Sequence, residues 1–174
     1  NFFTIELDPF GGYADEIAYD SGNADFRVAM VSGGNGFGVI MAPDDLAQVQ
    51  GANVYLWGTD WPDPGSDQFS VAVFDTDAQG SIGPMVIEPV IVEGTRGQWN
   101  YVDLSRYGFI TDHDFVVVAV QLEDAPNAPG IGLDQTYPYN NRSVMYASGM
   151  FEPFDSEYGN VMIRSHVLYA YDCP

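Results

Sequence analysis

The sequence contains no lysine, and its five basic residues, all arginine, stand against twenty-five acidic ones. A formal charge of −20 repels both a nucleic-acid backbone and an anionic bilayer, so neither is expected as a partner. There is one cysteine, Cys173, which excludes an internal disulfide and leaves a thiol that pairs between molecules or stays reduced. No stretch approaches the ~20 apolar residues of a membrane-crossing helix. Catalytic signatures are missing as well. His113 and His166 have no third group at a recognisable spacing, no G-x-S-x-G or H-E-x-x-H is present, and Cys173 has no nearby base. The expected protein is not an enzyme.

Helical periodicity is almost absent too. The one candidate turn is Asp44–Gln50, where Pro43-Asp44-Asp45 would start it. What the chain has instead is β patterning. Phe2–Leu7, Phe26–Val31, Phe37–Met41, Gly51–Trp57, Phe69–Phe74, Met85–Val92, Gln98–Val102, Phe115–Leu122, Ser143–Tyr146 and Val161–Tyr171 are rich in β-branched and aromatic residues, with Gly and Pro between them. In Gly51–Trp57 the residues Ala52, Val54 and Leu56 share one face, and Asn53, Tyr55 and Trp57 the other. About ten short strands without intervening helices predict an all-β fold, an antiparallel sandwich or jelly roll. At 174 residues and 46% hydrophobic composition, the chain suits a single domain with an ample core. The longest gaps, 123–142 and 148–160, are where function would sit on such a scaffold.

The acids collect in turns, and loop carboxylates on a β scaffold suit calcium, which takes several oxygens at once. Asp75, Asp77 and Gln79, at alternate positions before Gly80, form the leading candidate; Asp60, Asp63 and Asp67 form a second. Tyr19-Asp20-Ser21-Gly22 and Gly132-Leu133-Asp134 are weaker candidates, since aspartate beside glycine also makes an ordinary turn. Trp57, Trp61 and Trp99, with Tyr137, Tyr139, Tyr146 and Tyr158, offer rings that stack on sugars or brace the core. Asn141-Arg142-Ser143 reads as an N-glycosylation acceptor.

An ordered set of stretches resembles a jelly-roll accessory domain that recurs in secreted bacterial and archaeal proteins. It runs from Ala18-Tyr19-Asp20-Ser21-Gly22 through Val54-Tyr55-Leu56-Trp57, Phe69–Asp75, Trp99 with Val102-Asp103-Leu104, and Asp114–Val120, to Gly132-Leu133-Asp134 and Val161-Met162-Ile163-Arg164. The resemblance runs over about residues 18–168 and implies a non-catalytic β-sandwich, assigned to residues 18–174, that binds, adheres or stabilises, often with calcium. Residues 1–17 stand outside it as a strand and hinge. There Phe3, Ile5 and Leu7 alternate, so the strand either closes its own sheet or adds to the open edge of a neighbour. Asn1 in place of Met fits a mature exported chain whose leader has been removed. The leading expectation is an extracellular structural subunit that self-assembles into a polymer by strand addition, with contacts at Phe3, Ile5, Leu7 and Cys173 and calcium screening its charge. The alternative is a module that binds polysaccharide or matrix.

Overall fold

The computed structural model describes residues 12–170. Phe3, Ile5, Leu7 and Cys173 lie outside the described residues, so the expected donor strand and terminal contact do too.

Fourteen strands follow one another. The first seven are β1 (Tyr13–Ile17), β2 (Phe26–Val28), β3 (Gly36–Met41), β4 (Ala47–Leu56), β5 (Gln68–Thr76), β6 (Ile82–Glu93) and β7 (Gln98–Asp103). The rest are β8 (Ile110–Thr111), β9 (Phe115–Gln121), β10 (Ile131–Asp134), β11 (Ser143–Ala147), β12 (Met150–Pro153), β13 (Asn160–Val161) and β14 (Ile163–Tyr169). They form two antiparallel sheets. An eight-stranded sheet is ordered β1-β14-β4-β10-β13, with β2 on β10 and β7 and β8 on β4; a six-stranded sheet is ordered β12-β11-β3-β9-β5-β6. The sandwich expected from the alternating pattern is therefore present, with the chain passing back and forth between the sheets. Among the described residues no helix is long and apolar enough to cross a membrane.

Two local expectations are corrected. Asp44–Gln50 is not a helical turn: Ala47 and Val49 are buried at alternate positions of β4, which pairs with both β14 and β8. Sheet pairing outweighs the start signal at Pro43-Asp44-Asp45. The strand count exceeds ten because β1, β8, β10, β12 and β13 are not among the separate strands expected from the sequence; β10 and β12 lie within the gaps 123–142 and 148–160.

Between the sheets lies the main core, including Phe37, Leu56, Phe69, Phe115, Leu133 and Ile163. A second cluster covers the outward face of the six-stranded sheet, where Ala72, Val116, Val118, Val120 and Val144 are buried. This is why the run Phe115–Gln121 does not alternate: every residue of β9 is buried, because both faces of the strand are covered. The cover is aromatic. Phe74, Tyr146 and Phe151 meet with ring centroids 4.8–5.3 Å apart, although β9 and β3 separate β5 from β11. The sheet curls until rings from its two sides touch above its centre.

Candidate functional site

The outward face of the eight-stranded sheet is different. Core residues Ala52, Val54 and Leu56 of β4 point inward, which turns Asn53 and Tyr55 outward. On β7 the buried Asn100 and Val102 leave Trp99 and Tyr101 outside; on β14 the buried Ile163, Ser165 and Val167 leave Arg164 and His166 outside. One flat surface thus carries aromatic rings and hydrogen-bonding groups in alternation. Two glycines make room for the rings. A Cβ on Gly51 would stand 2.5 Å from the Tyr101 ring, and one on Gly132 would stand 2.7 Å from the Tyr55 ring, so both rings lie across bare backbone. Tyr55 and Trp99 meet edge to face at 5.5 Å, and Tyr101 and His166 at 5.3 Å.

Arg164 organises the centre of this face. Its guanidinium lies 4.4 Å above the Trp99 ring, donates Nη1–H to Glu16 Oε1 at 2.8 Å, and donates Nε–H and Nη2–H to Asp20 at 3.1 and 2.6 Å. The Asp20 side chain is 0% exposed, so that ion pair is largely withdrawn from water. The bonds to Asp20, and then to Glu16, hold the guanidinium protonated even more firmly than usual, against the opposing effect of burial. His166 Nε2 sits 2.7 Å from Asn53 Nδ2 and 3.1 Å from Glu16 Oε2. Tyr101 is 53% exposed, and its hydroxyl donates to Gln50 O. Burial, then the charge of Asp103, pushes that phenol up, so it stays neutral.

The structure brings the three sequence-predicted tryptophans, all half-buried, to this side of the molecule. Their faces are occupied by guanidinium groups. Arg27 lies 5.3 Å from Trp57 and 5.2 Å from Trp61, as Arg164 does over Trp99. On the outward face of the eight-stranded sheet the open ring beside Trp99 is Tyr101, which alternates with Trp99 in the Gln98–Val102 pattern and was readable there as its partner on the same face.

The loop carboxylates are placed as follows. Asp75 Oδ1 lies 3.0 Å from His113 Nε2, whose Nδ1 lies 2.9 Å from Asp112. The bond to Asp112, with help from Asp75 and against desolvation, pushes the imidazole up. Asp77 Oδ1 accepts the backbone N–H groups of Gln79 and Ser81, chiefly the latter lowering its carboxyl. Oδ1 of both Asp75 and Asp77 is thus already engaged by donors of the chain itself. Asp60, Asp63 and Asp67 are exposed around a loop whose carbonyls at Trp57, Gly58, Pro62 and Pro64 turn onto the guanidinium of Arg96, at 2.8–3.4 Å. Among the described residues, no three His, Cys, Asp or Glu side chains converge where they could hold one metal ion. Asn141 is exposed at φ 57, before β11, and the Ser143 hydroxyl of its triplet accepts Val161 N–H at 3.0 Å.

Two weaker candidates, far apart in sequence, meet. Asp134 is 0% exposed and accepts hydrogen bonds from Ser21 N–H and Thr136 N–H. Burial raises its carboxyl, but the bonds from Thr136 and Ser21 outweigh that and hold it below the usual range. Asp134 thereby ties the Tyr19–Gly22 loop, and Asp20 with it, to the edge of the polar face.

No family model matches the chain. It is 38% identical over 173 residues to Bacillopeptidase F of Bacillus subtilis strain 168, a match that spans 97% of this chain but only 12% of that protein. Two solved structures share the fold at low identity. The clostridial cysteine protease Cwp84 after propeptide cleavage superposes with a TM-score of 0.61 at 10% identity, over 90% of this chain and 41% of that one. The structure of the cysteine protease and lectin-like domains of Cwp84, a surface layer associated protein of Clostridium difficile, gives 0.54 at 9% identity, over 78% and 32%.

Proposed function

We propose that the chain is a non-catalytic accessory module of a larger exported bacterial protein, and that it binds a neutral polysaccharide on the outward face of its eight-stranded sheet. The observation that carries this reading is the exposed Tyr101 ring, seated on Gly51 beside Trp99 and Tyr55, with Asn53, His166 and Glu16 alongside. A sugar presents an apolar ring face bordered by hydroxyls, and an aromatic ring beside amide, imidazole and carboxylate groups answers both parts. Glu16 and Asp20 are both paired with Arg164, so neither carboxylate stands beside the rings as an unpaired ionic contact. The accessory role is supported by the match to one stretch of a much longer protein, and by the fold shared with structures that include a lectin-like domain. A surface or extracellular location is supported by the same likeness. The self-assembling subunit expected from the sequence has less support, because the comparisons point to a part of a larger protein.

The test is retention of neutral polysaccharides and their hexasaccharides by the wild-type chain and by Tyr101→Ala. The wild type is expected to bind at least one glycan, and the variant to bind it at least tenfold more weakly with its fold intact. Failure of the wild type to bind any neutral glycan overturns the reading.

A further inference from the structure

Beyond Asp20, at the margin of the polar face, a cavity of about 330 Å³ opens between the Tyr19–Ser21 loop, the 136–140 loop and β13. The hydrogen-bonding inventory of its walls is specific. Asn160 is only 4% exposed, and its Oδ1 accepts Asn140 N–H at 3.2 Å. Asn160 lines the cavity, and its Nδ2 donates to no group among the described residues. A nearly buried amide with an uncommitted donor at a cavity wall is costly to leave dry, and it marks a position where a ligand oxygen is welcome. Thr136 Oγ1 accepts from Ser21 Oγ at 3.1 Å and keeps its own proton to donate. The remaining walls include Pro138 and the Tyr137 ring, which is 81% exposed and projects at the mouth.

Among the described residues no unpaired charge lines this space. Asp20, the one ionised residue in the lining, has its carboxylate committed to Arg164 and to Gly22 N–H. In a chain of net charge −20, an uncharged cavity with donors from an amide and a hydroxyl, and with an aromatic rim, selects against cations and anions alike. Its size lies at the small end of ligand cavities.

We infer that this cavity is a subsite for a single neutral pyranose ring, the terminal residue of the polysaccharide that crosses the polar face. The inference rests on that reading of the face and adds chain-end recognition to it. Asn160 Nδ2–H and the Thr136 hydroxyl donate to sugar oxygens, and Tyr137 stacks on the ring from the mouth. Asp20 joins the two regions, holding Arg164 on one side and lining the cavity on the other.

The experiment uses methyl glycosides of glucose, galactose, mannose and N-acetylglucosamine as probes, followed by the Asn160 side-chain amide resonance. At least one glycoside is expected to shift that resonance saturably. Tyr137→Ala and Asn160→Asp should each weaken its binding at least tenfold, whereas Tyr101→Ala should leave it unchanged and weaken only hexasaccharide binding. Tyr137→Ala removes an exposed ring and keeps the fold, so it stands if Asn160→Asp does not fold. Wild-type glycoside affinity in Tyr137→Ala, or no shift with any glycoside, overturns the subsite. If hexasaccharides still bind through Tyr101 in that event, the face reading survives alone. If neither probe binds, both fall.

Discussion

Outside the six-stranded sheet, valines of β9 lie sealed beneath Phe74, Tyr146 and Phe151; outside the eight-stranded sheet, the corresponding alternate positions carry Glu16, Asn53, Arg164 and His166 in a bonded network under an open tyrosine. The first surface covers itself, and every methyl group it hides adds to stability. The second keeps an ion pair with a buried aspartate, an arrangement that apolar side chains of the same size would often match or exceed in stability. The proposed binding role would give that second arrangement a use besides folding.

The contrast sets up a series of substitutions. Phe74→Ala removes the centre of the aromatic cover, and about 3–5 kcal/mol of stability should go with it. Chemical denaturation measures that loss, while glycan retention by the folded fraction should not change. Arg164→Ala is expected to cost about 2–3 kcal/mol, somewhat below the range for a fully buried pair because the guanidinium is partly exposed. It leaves Asp20 buried without its partner, so this variant alone should lose stability and binding together. Tyr101→Ala should shift the denaturation midpoint hardly at all, within about 0.5 kcal/mol, while weakening glycan binding tenfold or more. If it unfolds the protein instead, the polar face is structural and the contrast fails.

The smallest effect lies on neither face. His113, between Asp75 and Asp112, has its pKa raised by folding. Its contribution is therefore fully present below the ordinary histidine value of about 6.5 and is lost as pH rises through the folded-state value. Comparing His113→Asn with the wild type across about pH 5 to 8.5 should give a difference under about 1 kcal/mol that disappears at the alkaline end, with ligand affinity unaffected. A difference that grew with pH would contradict the ion-pair geometry.

Much of the scaffold was readable from residue order. The alternation in Gly51–Trp57 put Ala52, Val54 and Leu56 on one face, which is the buried one, and the unbroken run of valines in β9 is what a strand covered on both faces requires. The site was less legible. Arg164 finds Asp20 and Glu16 across separations of 144 and 148 residues, and Asp134 finds Ser21 across 113. Each of those aspartates, taken alone, looks like any aspartate near a glycine, and nothing local distinguishes a turn from half of a long-range pair. The tryptophans were visible as rings, but the guanidinium groups that occupy their faces come from other strands, so exposure could not be judged from their own sequence neighbours.

Arg96 has a consequence of its own. The four carbonyls around residues 57–64 converge on a positive group that is tethered to the chain, and so cannot be diluted, exchanged or chelated away. The shape of that loop is held by a cation that the polypeptide itself supplies when it folds.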